Sequence, residues 1–145
     1  ATGAPRLWCA RSPDGTTLGH NHAQRVGAAE SGPRPHTDAR SLCRWAMVLY
    51  LTPDAPPRAG TSFYRQRMPD GTLGGNTCPE PYDSLPDALG VTKLPRDAWV
   101  EERAVQNVFN RAVLYRACLV HSATAYFGRE PSTRRLTAVF FWQAP

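Results

Sequence analysis

The sequence is almost without lysine: of its 17 basic residues only Lys93 is not an arginine. Together with the abundant Ala, Pro and Gly, that preference reads as the coding bias of a GC-rich genome. The arginines are scattered and never form a five-residue basic block, so the net charge of +5 marks no surface for a phosphate polymer. A small anionic substrate or co-substrate is an equally good use of the positive charge. Long apolar runs are also missing. None approaches the roughly 18 residues a spanning helix needs, which argues against a membrane-spanning protein. Residues 1–9 lack a basic segment followed by an apolar one, so no secretory signal is expected in them. An initiator Met is absent too, and the chain is expected to be a trimmed or partial product at its N-terminus. The four cysteines, Cys9, Cys43, Cys78 and Cys118, contain no C-x-x-C pair. That spacing disfavours a zinc knuckle or a redox dithiol and leads us to expect free thiols in a reducing cytoplasm.

What the chain does have is punctuation. Fourteen prolines and eleven glycines divide short apolar runs, a pattern of β structure rather than long helices. Strands are expected at Ala46–Thr52, Thr61–Gln66, Ala104–Phe109, Ala112–Val120 and Arg135–Trp142. Asn110-Arg111 is expected to join two of them as a hairpin. Asp97–Glu102 reads as a short helix, and Met68–Pro86 and His121–Thr133 read as loops. The segment before Arg34 reads as one or two poorly marked strands. A mainly all-β sandwich or jelly roll with minor helical content is the fold these signals predict.

The chemistry-bearing element is Pro35-His36-Thr37-Asp38. Residues two apart on an extended chain project from one face, so His36 and Asp38 can serve one metal ion. His121, at the end of an apolar run, can supply a third ligand. Two imidazoles and one carboxylate on one face of an octahedron leave three positions open, the arrangement associated with oxygen-activating ferrous iron. Arg135 opens the final apolar run with Thr137 two residues on. A guanidinium facing into such a strand requires an anion, and its planar fork suits a carboxylate. Tyr50, in mid-strand, offers a hydroxyl that must also find a partner. A different metal set is open on the same reasoning: His20 and His22 with His36, as in a cofactor-independent dioxygenase.

Taken in order, PHTD at 35–38, VLYLT at 48–52, AGTSFYR at 59–65, NRAVLYRACLVHS at 110–122 and RRLTAVFFW at 134–142 resemble the prolyl-4-hydroxylase-like branch of the iron(II) and 2-oxoglutarate oxygenases. They are more closely similar to an uncharacterised bacterial group sharing GTxFYR and NRxVLY…HS…YFG. The resemblance implies a double-stranded β-helix of the cupin-like kind, with residues 1–145 as one oxygenase domain and 1–33 its weakly marked N-terminal segment. It implies Fe(II), held by His36, Asp38 and His121, with 2-oxoglutarate and O2 as co-substrates. Arg135 matches the residue that pairs with the distal carboxylate of 2-oxoglutarate, and Tyr50 and Thr137 its hydrogen-bonding partners. Arg134 competes with Arg135 for that role, because the stretch between His121 and the final strand carries an insertion at 128–133. Halogenating relatives lack the carboxylate that Asp38 retains, so hydroxylation or desaturation of a small or amino-acid-like molecule is implied. Two rival readings are a catalytically silent cupin-like module that binds a metal or small molecule, and a dioxygenase that works without the keto acid.

Overall fold

In a computed structural model, residues 6, 8–11, 14–16, 21–30 and 32–144 are described. Among them, seven strands form two antiparallel sheets: β1 (His22–Val26), β2 (Trp45–Tyr50), β3 (Thr61–Gln66), β4 (Trp99–Val105), β5 (Ala112–Arg116), β6 (His121–Ala123) and β7 (Arg135–Trp142). The four-stranded sheet runs β1-β7-β2-β5 and the three-stranded sheet β4-β3-β6. Among the described residues, helix is confined to α1 (Leu85–Ala88) and a 3-10 turn at Arg96–Ala98. No helix of the described residues is long and apolar enough to cross a membrane.

The alternation legible in the sequence is the one that builds the interior. Along β2, Ala46, Val48 and Tyr50 are buried while Trp45, Met47 and Leu49 are half-buried on the other face. Tyr115 of β5 joins them, and Phe63 of β3 packs on this cluster from the opposing sheet. The sheets therefore face each other through β2, β5 and β7 on one side and β3 and β6 on the other. A second cluster, Cys78, Leu85, Leu94, Trp99 and Val120 with Tyr64, lies on the far face of the smaller sheet. It is covered by the 76–98 segment, so the stretch expected to be a surface loop at Met68–Pro86 carries buried Cys78 and runs into α1.

Three expectations are corrected. Ala104–Phe109 and Ala112–Val120 do not pair as a hairpin: β4 pairs with β3 and β5 with β2, so the chain crosses between sheets at 106–111. Asn110 does turn, at φ 62°, but Asn110 N–H donates to the Tyr50 carbonyl and Tyr50 N–H to the Arg111 carbonyl. Those bonds pin the turn to the end of β2, which turn chemistry alone cannot reveal. Asp97–Glu102 is helical only up to Ala98 and then becomes β4. β4 is an edge strand, and its exposed Glu101, Glu102 and Arg103 mimic a solvated helix face in sequence. Finally, His121 opens a short strand, β6, rather than a loop, and β5 ends at Arg116.

Gly60 sits where the chain enters β3 against the exit of β4. A Cβ there would lie 1.8 Å from the Val105 carbonyl oxygen. Backbone cannot yield as a flexible side chain can. Gly60→Ala is expected to destabilise the protein by about 3 kcal/mol, read as a lowered urea midpoint at unchanged slope.

Candidate metal centre and anion pocket

His36 and His121 are joined by reciprocal backbone bonds of 2.9 Å, and Asp38 N–H donates to the Ala117 carbonyl at 3.0 Å. The PHTD segment thus lies extended along the edge of β6. Its period-2 geometry turns His36 and Asp38 one way and Thr37 the other, where the Thr37 hydroxyl accepts the Leu85 N–H of α1 at 2.9 Å. His36, Asp38 and His121 come together, their ligand atoms all within 4.8 Å of one another. His36 Nε2 lies 3.8 Å from Asp38 Oδ1, and His121 Nε2 3.7 Å from Asp38 Oδ2. Ligand bonds of about 2.1 Å at right angles place neighbouring donors about 3 Å apart, so each His–Asp pair needs to close by less than about 1 Å and the widest separation by up to about 1.8 Å around an ion.

Three observations fit a cation there. Each imidazole has its Nδ1 2.9 Å from a backbone carbonyl, of Arg34 and Leu119 respectively. A carbonyl only accepts, so each Nδ1 carries the proton and each Nε2 turns a lone pair into the site. Asp38 Oδ2 is buried with no hydrogen-bond partner. Burial, partly offset by His36, pushes the Asp38 carboxyl up to about 6, while burial and the charge of His36 push His121 down to about 3. A buried carboxylate beside a neutral histidine is an incomplete electrostatic unit that a divalent ion completes.

A cavity of about 170 Å³ opens from this cluster between the sheets. Arg135, at the start of β7, also faces it and is 3% exposed. Its Nε donates to the Ala59 carbonyl at 3.2 Å, with Gly60 O and Thr137 Oγ1 at 3.4 and 3.5 Å from the terminal nitrogens. The tight packing of Gly60 against Val105 therefore also shapes the seat of this guanidinium. Arg135 makes none of the ion pairs found among the described residues, which leaves a buried cation without a counter-charge. Arg134, by contrast, points outward to Glu30 at 3.7 Å. Alternation along β7 decides between the two.

Thr137 is fully buried and lines the cavity. Tyr50 is fully buried as well, but its hydroxyl donates to Thr61 Oγ1 at 2.8 Å. Its ring lies 5.8 Å from the Arg135 guanidinium carbon. Tyr50 therefore supports the arginine from behind, and Thr61, whose own proton is left to donate into the cavity, is the wall hydroxyl. Sequence reasoning missed Thr61 and Tyr115. Thr61 is the second residue of the GTSFYR string and opens β3, and Tyr115 follows Val113 by two on β5. Tyr115 packs at a tilt against the His121 ring, centroids 4.6 Å apart, and burial first, then Asp38, raises its hydroxyl well above the ordinary tyrosine range. Of the aromatics in the 68–86 and 121–133 stretches, Tyr126 lines the cavity, while Tyr82 is solvent-exposed and not on its wall. His22 lies on the cavity wall outside the His36–Asp38–His121 cluster, and His20 falls outside the described residues.

Fold and site together define a β protein whose two antiparallel sheets enclose one cavity, with a His-Asp-His cluster able to hold a metal and a buried guanidinium both opening into it. The chain belongs to the DUF6445 family, a family of unknown function, whose model matches residues 30–142. That span includes His36, Asp38, His121 and Arg135 and leaves out β1. Neither the curated proteins nor the solved structures give a significant match.

Proposed function

We propose that the protein is a non-haem Fe(II)- and 2-oxoglutarate-dependent oxygenase built on a double-stranded β-helix, acting on a small or amino-acid-like molecule. The observation that carries this reading is the pairing, in one cavity, of the His36–Asp38–His121 cluster with a buried arginine that lacks a carboxylate. His36, Asp38 and His121 are the residues that hold the iron. Ferrous iron with 2-oxoglutarate supplies the activation of O2, coupling decarboxylation of the keto acid to oxidation of a second substrate. Arg135 binds the distal carboxylate through its planar fork, and Thr137 and Thr61 add hydroxyl donors. Tyr50 orders the Thr61 hydroxyl and faces the guanidinium with its ring. Phe63 and Tyr115, packed edge to face at 5.3 Å, keep water from the His121 side. The four free cysteines support a reducing compartment, and we place the protein in the cytoplasm.

The test is anaerobic titration of the Fe(II)-loaded protein with 2-oxoglutarate, following the weak visible charge-transfer band of a chelated keto acid. The band is expected in the wild type and absent in His36→Ala. Tight metal binding with no band leaves a metal-binding module or a keto-acid-independent dioxygenase. Failure to bind metal removes the oxygenase reading altogether.

A further inference from the structure

Asp38 forms part of the wall of a second cavity, also about 170 Å³, bounded by the segment that leads into β2, the 78–80 segment and the end of β5. Arg40, Arg44 and Arg116 all line it, and Glu80 is the single carboxylate apart from Asp38. Glu80 pairs with Arg40 at 3.1 Å and Arg44 at 3.5 Å. The remaining donors of Arg40 go to the carbonyls of Cys78 and Tyr82, so this arginine is committed to holding the 78–83 segment in place. Arg116 makes none of the ion pairs among the described residues. Its guanidinium carbon lies 5.6 Å from the centre of the Trp45 ring, which orients the group without neutralising it.

Three guanidiniums against one carboxylate leave two positive charges in a concave site, once Asp38 is engaged on a metal. Isolated surface arginines are ordinary in a chain with this composition. Convergence of three on one small cavity sharing its wall with a metal ligand is not. A cavity focuses the field of its charges, and paired guanidiniums match the oxygens of a carboxylate or phosphate. The keto-acid pocket shares Asp38 with this cavity and has Arg135 as its own anion anchor.

We propose that this second cavity receives the primary substrate, and that the substrate is a small molecule bearing a carboxylate or phosphate group held by Arg116 and Arg44. The proposal rests on the oxygenase reading, because it makes the Arg135 cavity the co-substrate site and leaves this one for the molecule to be oxidised. Two anion anchors in cavities that share one metal ligand would present substrate and co-substrate to the same centre.

The experiment uses Zn(II)-loaded protein, which binds without turnover. Binding of 2-oxoglutarate is measured first by calorimetry. Inorganic phosphate and acetate are then titrated into the 2-oxoglutarate-saturated protein. Phosphate or acetate is expected to bind, and Arg116→Gln and Arg44→Gln to weaken that binding at least tenfold, with unchanged 2-oxoglutarate affinity showing that the variants remain folded. Arg129→Gln, a change elsewhere on the surface, is expected to alter neither. Tighter phosphate than acetate binding assigns a phosphorylated substrate, and the reverse a carboxylic acid. Anion binding that is absent, or indifferent to Arg116 and Arg44, overturns the proposal while bound 2-oxoglutarate keeps the oxygenase reading. Absence of 2-oxoglutarate binding removes that reading and the proposal with it.

Discussion

Arg135→Met is expected to weaken 2-oxoglutarate binding more than a hundredfold, to leave metal binding intact and not to destabilise the apo-protein. The three expectations separate because Arg135 is a buried cation whose partners in the fold are the Ala59 and Gly60 carbonyls and the Thr137 hydroxyl, without a carboxylate. Desolvation draws its pKa down, and only the surrounding tyrosines oppose that shift. A buried charge lacking its counter-ion is close to neutral for stability when exchanged for an apolar chain of similar length. For the ligand the balance is reversed. Losing the charged partner of a desolvated carboxylate costs about 3 kcal/mol, more than a hundredfold in affinity. Arg135→Lys keeps the charge but loses the fork, and should fall between the two. Arg134→Met, at the outward neighbour, should bind like the wild type. Calorimetric 2-oxoglutarate affinity and thermal melts of the metal-free variants read both effects. Wild-type affinity in Arg135→Met would move the keto-acid site elsewhere.

Asp38→Asn is expected to lose at least a hundredfold in metal affinity and yet to make the metal-free protein more stable at pH 7.5. The Asp38 carboxyl titrates near 6 when folded, against about 4 in an unfolded chain, because burial disfavours its charge. The folded state therefore keeps a proton that the unfolded state has released. Between about pH 4 and 6 the Asp38 contribution to apo-protein stability therefore falls as pH rises, by about 3 kcal/mol. Asparagine resembles the protonated form and avoids that loss, so the variant gains above pH 6 and matches the wild type near pH 4. The same proton competes with the metal, whose affinity should fall about tenfold per pH unit below 6. His121 acts in the opposite sense. Its folded pKa is depressed to about 3, so stability is lost as pH falls below the ordinary imidazole value near 6.5. The Asp38→Asn variant should therefore show a plain rise in stability from pH 3 to 6.5, where in the wild type the two contributions offset each other and stability is nearly flat between about pH 4 and 6. Urea melts of the metal-free proteins across pH, with metal titrations at pH 5, 6 and 7.5, test this. Equal apo-stabilities at pH 7.5 would mean the carboxylate is not the burdened group its burial indicates.

Much of the site was legible because it depends on local rules. A strand with period 2 puts His36 beside Asp38 and Arg135 beside Thr137 whatever the rest of the chain does, and the apolar runs at Thr61–Gln66 and Arg135–Trp142 become strands with those same limits. The errors came where a local signal has more than one tertiary outcome. Asn110 marks a turn in a hairpin and at a sheet crossing alike. Exposed Glu101, Glu102 and Arg103 suit a helix surface or an edge strand. Arg134 and Arg135 are adjacent and chemically identical, and only the face of β7 on which each falls sets one on solvent and the other in the interior.

By itself, the sequence determined the residue types able to bind a metal and an anion, their spacing along extended segments, and a mainly β architecture. Tertiary structure decided what lies opposite what. It brought His121 to the PHTD segment through reciprocal backbone bonds and set Thr61 under the Tyr50 hydroxyl across the sheets. It also put Asp38 on the wall of two cavities, each lined by arginine as well. These juxtapositions join residues far apart in the chain, and they form only when burial of both inner sheet faces fixes the register of strands that share no local signal.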